Sequence, residues 1–120
     1  MYDHIGLKVS DLAKSVRFYT GALEALGFEC CSHNASSAGF GPEGAPALWL
    51  YPQKNAKGAG THVAFRATSR AAVDDFHKSG VAGGGRDNGA PGVRADYGPK
   101  YYAAFLIDPD GNNVEAVCMK

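Results

Sequence analysis

A chain of 120 residues, 45% apolar and 20% charged, has the size and composition of one globular domain and can bury a real core. Twelve Lys and Arg balance twelve Asp and Glu, so the electrostatic drive toward nucleic acid or a membrane surface is missing. Apolar runs fall far short of the roughly 20 residues of a spanning helix. No positive-then-apolar leader opens the sequence, and three cysteines, two of them adjacent (Cys30, Cys31), read as reduced thiols of a cytoplasmic protein.

Taken in chain order, HIGLKV (4–9) alternates strictly, with Ile5, Leu7 and Val9 on one face and His4, Gly6 and Lys8 on the other. That is a strand with one buried side. Ser10 or Asp11 then caps a helix in which Leu12, Val16, Tyr19, Leu23 and Leu26 recur at helical spacing up to Gly27. Gly21 inside it predicts a kink or an early end. Three strands are predicted near 28–35, 37–41 and 46–51, followed by a polar linker at 53–60. HVAFRA (62–67) is a second alternating strand, with His62, Ala64 and Arg66 on its polar face. Ser69 caps a second, shorter helix carrying Val73 and Phe76 and ending near Gly80. Strands are predicted near 82–87, 101–107 and 112–119, the last two joined by a tight turn at 109–111.

The second half repeats the first. A shift of 58 residues lays His4 on His62, Ile5 on Val63, Leu7 on Phe65, Lys8 on Arg66, Ser10 on Thr68 and Phe18 on Phe76. GPEG (41–44) matches DPDG (108–111) at a displacement of 67, the difference being a longer Gly-rich tract at 83–100. The fold class is therefore α+β: two tandem βαβββ modules forming curved mixed sheets around a shared cleft. Module one spans 1–52, the linker 53–60 and module two 61–120, within a single domain. A pseudo-twofold would bring the two histidine strands to equivalent places. In the last strand Glu115 points away from Val114, Ala116 and Cys118, so two imidazoles and a carboxylate can converge on a divalent transition metal. Zn, Ni, Mn, Co and Fe all suit such a set. The tract GGGRDNGAPG lacks the GK[ST] of a phosphate loop and reads as a mobile lid. Arg86, Arg94, Tyr97, Tyr101 and Tyr102 are available on it or beside it to bind substrate, and Trp49 and Tyr51 could wall the cleft. His33 and His77 read as surface residues, His77 suiting the negative end of its helix.

The ordered segments DHIGLKVSDLAKSVRFY (3–19), THVAF (61–65) and DPDGNNVEAV (108–117) resemble the vicinal oxygen chelate superfamily of glyoxalases, bleomycin-resistance proteins and extradiol dioxygenases. The resemblance implies a glyoxalase-like fold and metal ligands at His4, His62 and Glu115. Glyoxalase I enzymes add a second glutamate on the last strand of module one. Here that strand is ALWLYP (47–52), with Leu48 or Trp49 at the position. The implied activity is a metal-dependent, glyoxalase-like lyase acting on a small oxygen-rich molecule, with Glu115 as base. An Fe(II) extradiol-type dioxygenase or a non-catalytic antibiotic-binding protein is the alternative. The implied assembly is a homodimer whose clefts are either intrachain or shared between chains.

Overall fold

The computed structural model describes residues 1–120. Strand β1 (Ile5–Val9) leads into helix α1 (Leu12–Glu24) and strands β2 (Glu29–His33), β3 (Ala38–Gly41) and β4 (Leu48–Pro52). The same series follows as β5 (His62–Arg66), α2 (Arg70–Ala82), β6 (Arg86–Val93), β7 (Tyr102–Ile107) and β8 (Asn113–Cys118). Each half makes a four-stranded mixed sheet, ordered β1-β4-β3-β2 and β5-β8-β7-β6, in which only the first pair is parallel. Two tandem βαβββ modules are thus the architecture. No helix is long and apolar enough to cross a membrane.

The repeat extends to local chemistry. Asp11 and Ser69 are repeat-equivalent, both have extended backbones, and each accepts a hydrogen bond from the backbone N–H three residues on. Each thereby satisfies one orphan donor of the first helical turn. The matching GPEG and DPDG turns both end in a glycine at positive φ, 70° at Gly44 and 91° at Gly111.

One core of 19 buried residues runs through both modules. Its centre is the contact between α1 and α2, where repeat-equivalent residues meet. A Cβ on Gly21 would lie 3.0 Å from the carbonyl oxygen of Ser79, and one on Gly80 would stand 3.5 Å from Ala22 and collide with Leu106. Close approach of the helices explains Gly21. Contrary to the expected kink, α1 is continuous through it. The second helix is not shorter either: both have 13 residues, because Gly80 is packed inside α2 rather than ending it.

The largest departure from expectation lies at 83–100. Residues 86–93 form β6, paired to β7 with register shifts around Gly89, so the middle of the tract is strand. Residues 83–85 turn out of α2, and residues 94–100 remain as a turn-rich connection. Gly89 has φ 157°, and a Cβ there would sit 2.9 Å from the Phe105 ring, so glycine here serves strand packing rather than mobility.

The modules are also joined by a polar clasp. The Tyr19 hydroxyl on α1 donates to Asp108 Oδ2 at 2.6 Å, and both residues are buried. Asp108 further accepts the backbone N–H groups of Asp110 and Asn112 and the side-chain amide of Asn112. Asp110 in turn accepts from the backbone N–H and hydroxyl of Ser10 at 3.0 and 2.7 Å. The DPDGN turn of module two is thereby fastened to the start of the module-one helix.

Candidate functional site

Strand alternation divides the second sheet into two faces. Val114, Ala116 and Cys118 are fully buried toward the helices. Glu115 lies opposite Ala64 and Phe105 in the register, and His62 lies opposite Asn113, all on the face turned away from the helices. Glu115 is only 2% exposed there. A carboxylate so placed needs partners. It has two: Tyr101 donates its hydroxyl to Oε2, and His62 Nε2 stands 3.0 Å from Oε1. Burial, with the Glu115 hydrogen bond and charge added, pushes the Tyr101 phenol up to about 12.

The other nitrogen of His62 fixes the logic of this contact. Nδ1 is 3.2 Å from the carbonyl oxygen of Asn113, which only accepts, so the tautomer protonated at Nδ1 donates there. In a neutral imidazole Nε2 then presents a lone pair to a carboxylate that also presents lone pairs. In that tautomer a positive species between the two atoms completes the pair, and a metal ion is one such species. This donor chemistry fits a divalent ion.

Around the pair lies an open depression of about 650 Å³ lined by His62, Asp96, Tyr97, Tyr101, Phe105, Asn113 and Glu115. The His62 ring stacks on Phe105 at 6.3 Å, and the Arg94 guanidinium covers the same ring at 5.3 Å. Arg94 is anchored by donating to the carbonyls of Gly92 and Ala90 at 3.0 and 2.7 Å. Tyr97 meets Tyr101 edge-on at 5.2 Å.

Of the residues singled out in the sequence, the fold brings together His62, Glu115, Tyr97 and Tyr101, with Arg94 beside them. Tyr102 is a correction: one residue out of phase with Tyr101, it turns to the helix side, donates to Asp74 of α2 at 2.6 Å and carries Arg70 over its ring. Arg86 is exposed at the start of β6 and does not line the depression. His77 lies before the last turn of α2, away from its negative end, and its Nε2 meets Asp87 Oδ1 of β6 at 2.8 Å. His33 is exposed, as expected.

His4 stands apart from His62 and Glu115. Its Nδ1 lies 2.7 Å from Asp3, its side chain is about half exposed, and it edges an apolar cavity of about 200 Å³ between the two sheets. Within one chain no three His, Cys, Asp or Glu side chains gather as a ligand group. Registers also resolve the Leu48-or-Trp49 ambiguity. Gly6 pairs with Trp49 where Ala64 pairs with Glu115, so the module-one counterpart of Glu115 is Trp49.

A family model, Glyoxalase/Bleomycin resistance protein/Dioxygenase superfamily, matches residues 2–116. The chain belongs to this superfamily. Among solved structures it is similar to a glyoxalase/bleomycin resistance protein from Albidiferax ferrireducens T118, with 31% identity, TM-score 0.84, and coverage of 100% of this chain and 99% of that one. The fold is shared with a glyoxalase-related enzyme from Fulvimarina pelagi, at 18% identity and TM-score 0.76, covering 98% of this chain and 87% of that one. It is shared also with a glyoxalase/bleomycin resistance protein/dioxygenase family enzyme from Burkholderia phytofirmans PsJN, at 18% identity and TM-score 0.74, covering 98% of each. No curated protein matches the sequence. Within this glyoxalase-superfamily chain, Phe105 and Asn113 were missed in the sequence. Counting by twos from Tyr101 puts Phe105 on the Glu115 face, a signal hidden because Tyr102 is equally aromatic.

Proposed function

We propose that this superfamily member is a divalent-metal-dependent, glyoxalase-like lyase acting on a small oxygen-rich molecule in the cytoplasm. The observation that carries the reading is the His62–Glu115 contact, in which two lone-pair donors aim at one point with the remaining imidazole nitrogen committed to Asn113. His62 and Glu115 would hold the ion, and His4 would be the third ligand. A bound ion would supply Lewis acidity toward neighbouring oxygens of the substrate. The chain's own residues do the rest. Glu115, if it leaves the ion, would accept and return a proton at Oε1 while Tyr101 holds its other oxygen, and Arg94, Tyr97 and Phe105 orient the substrate on the open face.

His4 lies away from this pair within one chain, which favours a homodimer with the third ligand coming from the partner subunit. Two measurements test the proposal. Titration of Zn(II), Ni(II) or Mn(II) should give one site per chain in the parent and none in His62→Ala; equal stoichiometry and affinity in both would refute the ligand assignment. A His4→Ala chain mixed with a Glu115→Ala chain should recover part of the metal binding after subunit exchange. Mixtures as metal-poor as either parent, with exchange demonstrated, would place the site within one chain.

A second reading, a non-catalytic binder of small molecules, is favoured by one observation: an indole, Trp49, stands where the second module has its acid. Absence of metal binding with retained ligand binding would select it. An Fe(II) extradiol-type dioxygenase would be separated from the lyase by the identity of the ion and by oxygen consumption.

A further inference from the structure

The face of the first sheet that corresponds to the Glu115 face carries an aromatic surface built on glycine. Trp49 lies between Gly6 and Gly39 in the register, and a Cβ on Gly39 would come within 2.8 Å of the indole. On Gly6 a Cβ would come within 3.1 Å of the Tyr51 ring. The strands flanking Trp49 thus lack side chains where the two rings lie. The rings are nearly parallel, 14° apart with centroids separated by 6.4 Å, and both are only half-buried. Lys8 Nζ stands 5.0 Å from the centre of the Tyr51 ring. The same Gly6 and Lys8 line one side of a polar groove of about 350 Å³, completed by Gln53, Asn55, Lys57, Thr61 and Asn112 among others. No acidic side chain lines this groove, and neither Lys8 nor Lys57 is paired with a carboxylate.

We propose that this face is a subsite for a planar aromatic anion, its ring on Trp49 and Tyr51 and its negative group directed to Lys8 and the groove. The chemistry is complementary at both ends. Flat aromatic faces favour a second ring, and two unpaired ammonium groups favour an anion. A purely apolar occupant would leave the lysine groove unused, and an aliphatic anion would leave the rings uncovered. The inference deepens the proposed function by naming a substrate class, and rests on the reading that the faces turned away from the helices line the substrate cleft.

Trp49 is the sole tryptophan, so its fluorescence reports on this face alone. The experiment titrates metal-free protein, kept in chelator, with 4-nitrobenzoate, a ring that quenches indole on contact. Neutral 4-nitrobenzyl alcohol and non-aromatic cyclohexanecarboxylate are the controls. Saturable quenching by 4-nitrobenzoate is expected, weakened by about threefold in Lys8→Gln and by up to about tenfold in Tyr51→Ala. Lys8→Gln should leave the response to the alcohol unchanged, which separates loss of charge from misfolding. Linear, non-saturating quenching, equal saturation by the alcohol, or saturable binding indifferent to both substitutions would each overturn the proposal. Metal titration of the same variants should match the parent. Failure of the metal reading therefore shows in that titration, and failure of this subsite in the quenching.

Discussion

The Tyr19 hydroxyl and the Asp108 carboxylate, 89 positions apart in sequence, meet at 2.6 Å inside the protein and tie the helix of one module to the turn of the other. Asp108 keeps three further donors when Tyr19 is removed. Tyr19→Phe should therefore cost about 1–3 kcal/mol, toward the lower end, read as a lowered urea midpoint at unchanged slope.

The same pair predicts a behaviour in alkali. Burial, with the Asp108 and Asp110 carboxylates beside it, holds the Tyr19 phenol well above its ordinary value. The folded protein thus binds this proton more tightly than the unfolded chain. Its stabilising contribution is complete below about pH 10 and lost as pH rises through the folded value. Above about pH 10 the parent should lose stability more steeply than Tyr19→Phe. Parallel stability curves for the two would refute this.

At the helix contact two effects oppose one another. Gly80→Ala gains about 1 kcal/mol of helix propensity. The new methyl would make ordinary contact with Phe18 and Ala22 but overlap the fully buried Leu106, overpacking that costs about 1–3 kcal/mol. Net destabilisation is expected in thermal or chemical unfolding. A rise in stability would mean that the Leu106 side chain repacks to make room.

Metal uptake should displace protons from its ligands, because an imidazole nitrogen and a carboxylate coordinate only in their deprotonated forms. Calorimetry in buffers of different ionisation enthalpy should report that release, and affinity should fall as pH is lowered. In Glu115→Gln a side-chain N–H can donate to His62 Nε2 directly. That variant should bind metal at least about tenfold more weakly. Unchanged affinity would remove Glu115 from the ligand set.

Exchange of backbone amides gives a fifth check, on the former lid. Those amides of 86–93 that bond to β7 should exchange slowly in the free protein, whereas 94–100 should exchange fast and slow on ligand binding. Fast exchange through 86–93 as well would restore the longer flap.

The sequence made the modules legible because alternation and capping are local signals. Ile5, Leu7 and Val9 against His4 and Lys8, and Asp11 matched by Ser69, need only period and chemistry to be read. Glu115 and His62 were legible for the same reason, as polar-face residues of alternating strands. What stayed hidden depends on distant partners. Gly21 and Gly89 look like breaks until a helix or the Phe105 ring is set against them. Tyr19 reads as an apolar helix position until Asp108 arrives from the other module. Tyr101 and Tyr102 are indistinguishable in composition, and strand phase alone sends one to Glu115 and the other to Asp74.

The helix contact carries a consequence of its own. Where Gly21 meets Ser79 and Ala22 meets Gly80, each residue faces its own counterpart, so the helix contact repeats itself about a pseudo-twofold axis. Two separate identical halves would be bound to keep every position the same on both sides of that axis. A peptide linker removes the obligation, since the halves become two addresses in one gene. An indole on one face and a carboxylate at the matching place on the other is the freedom so gained: a symmetric scaffold able to hold an unsymmetrical molecule.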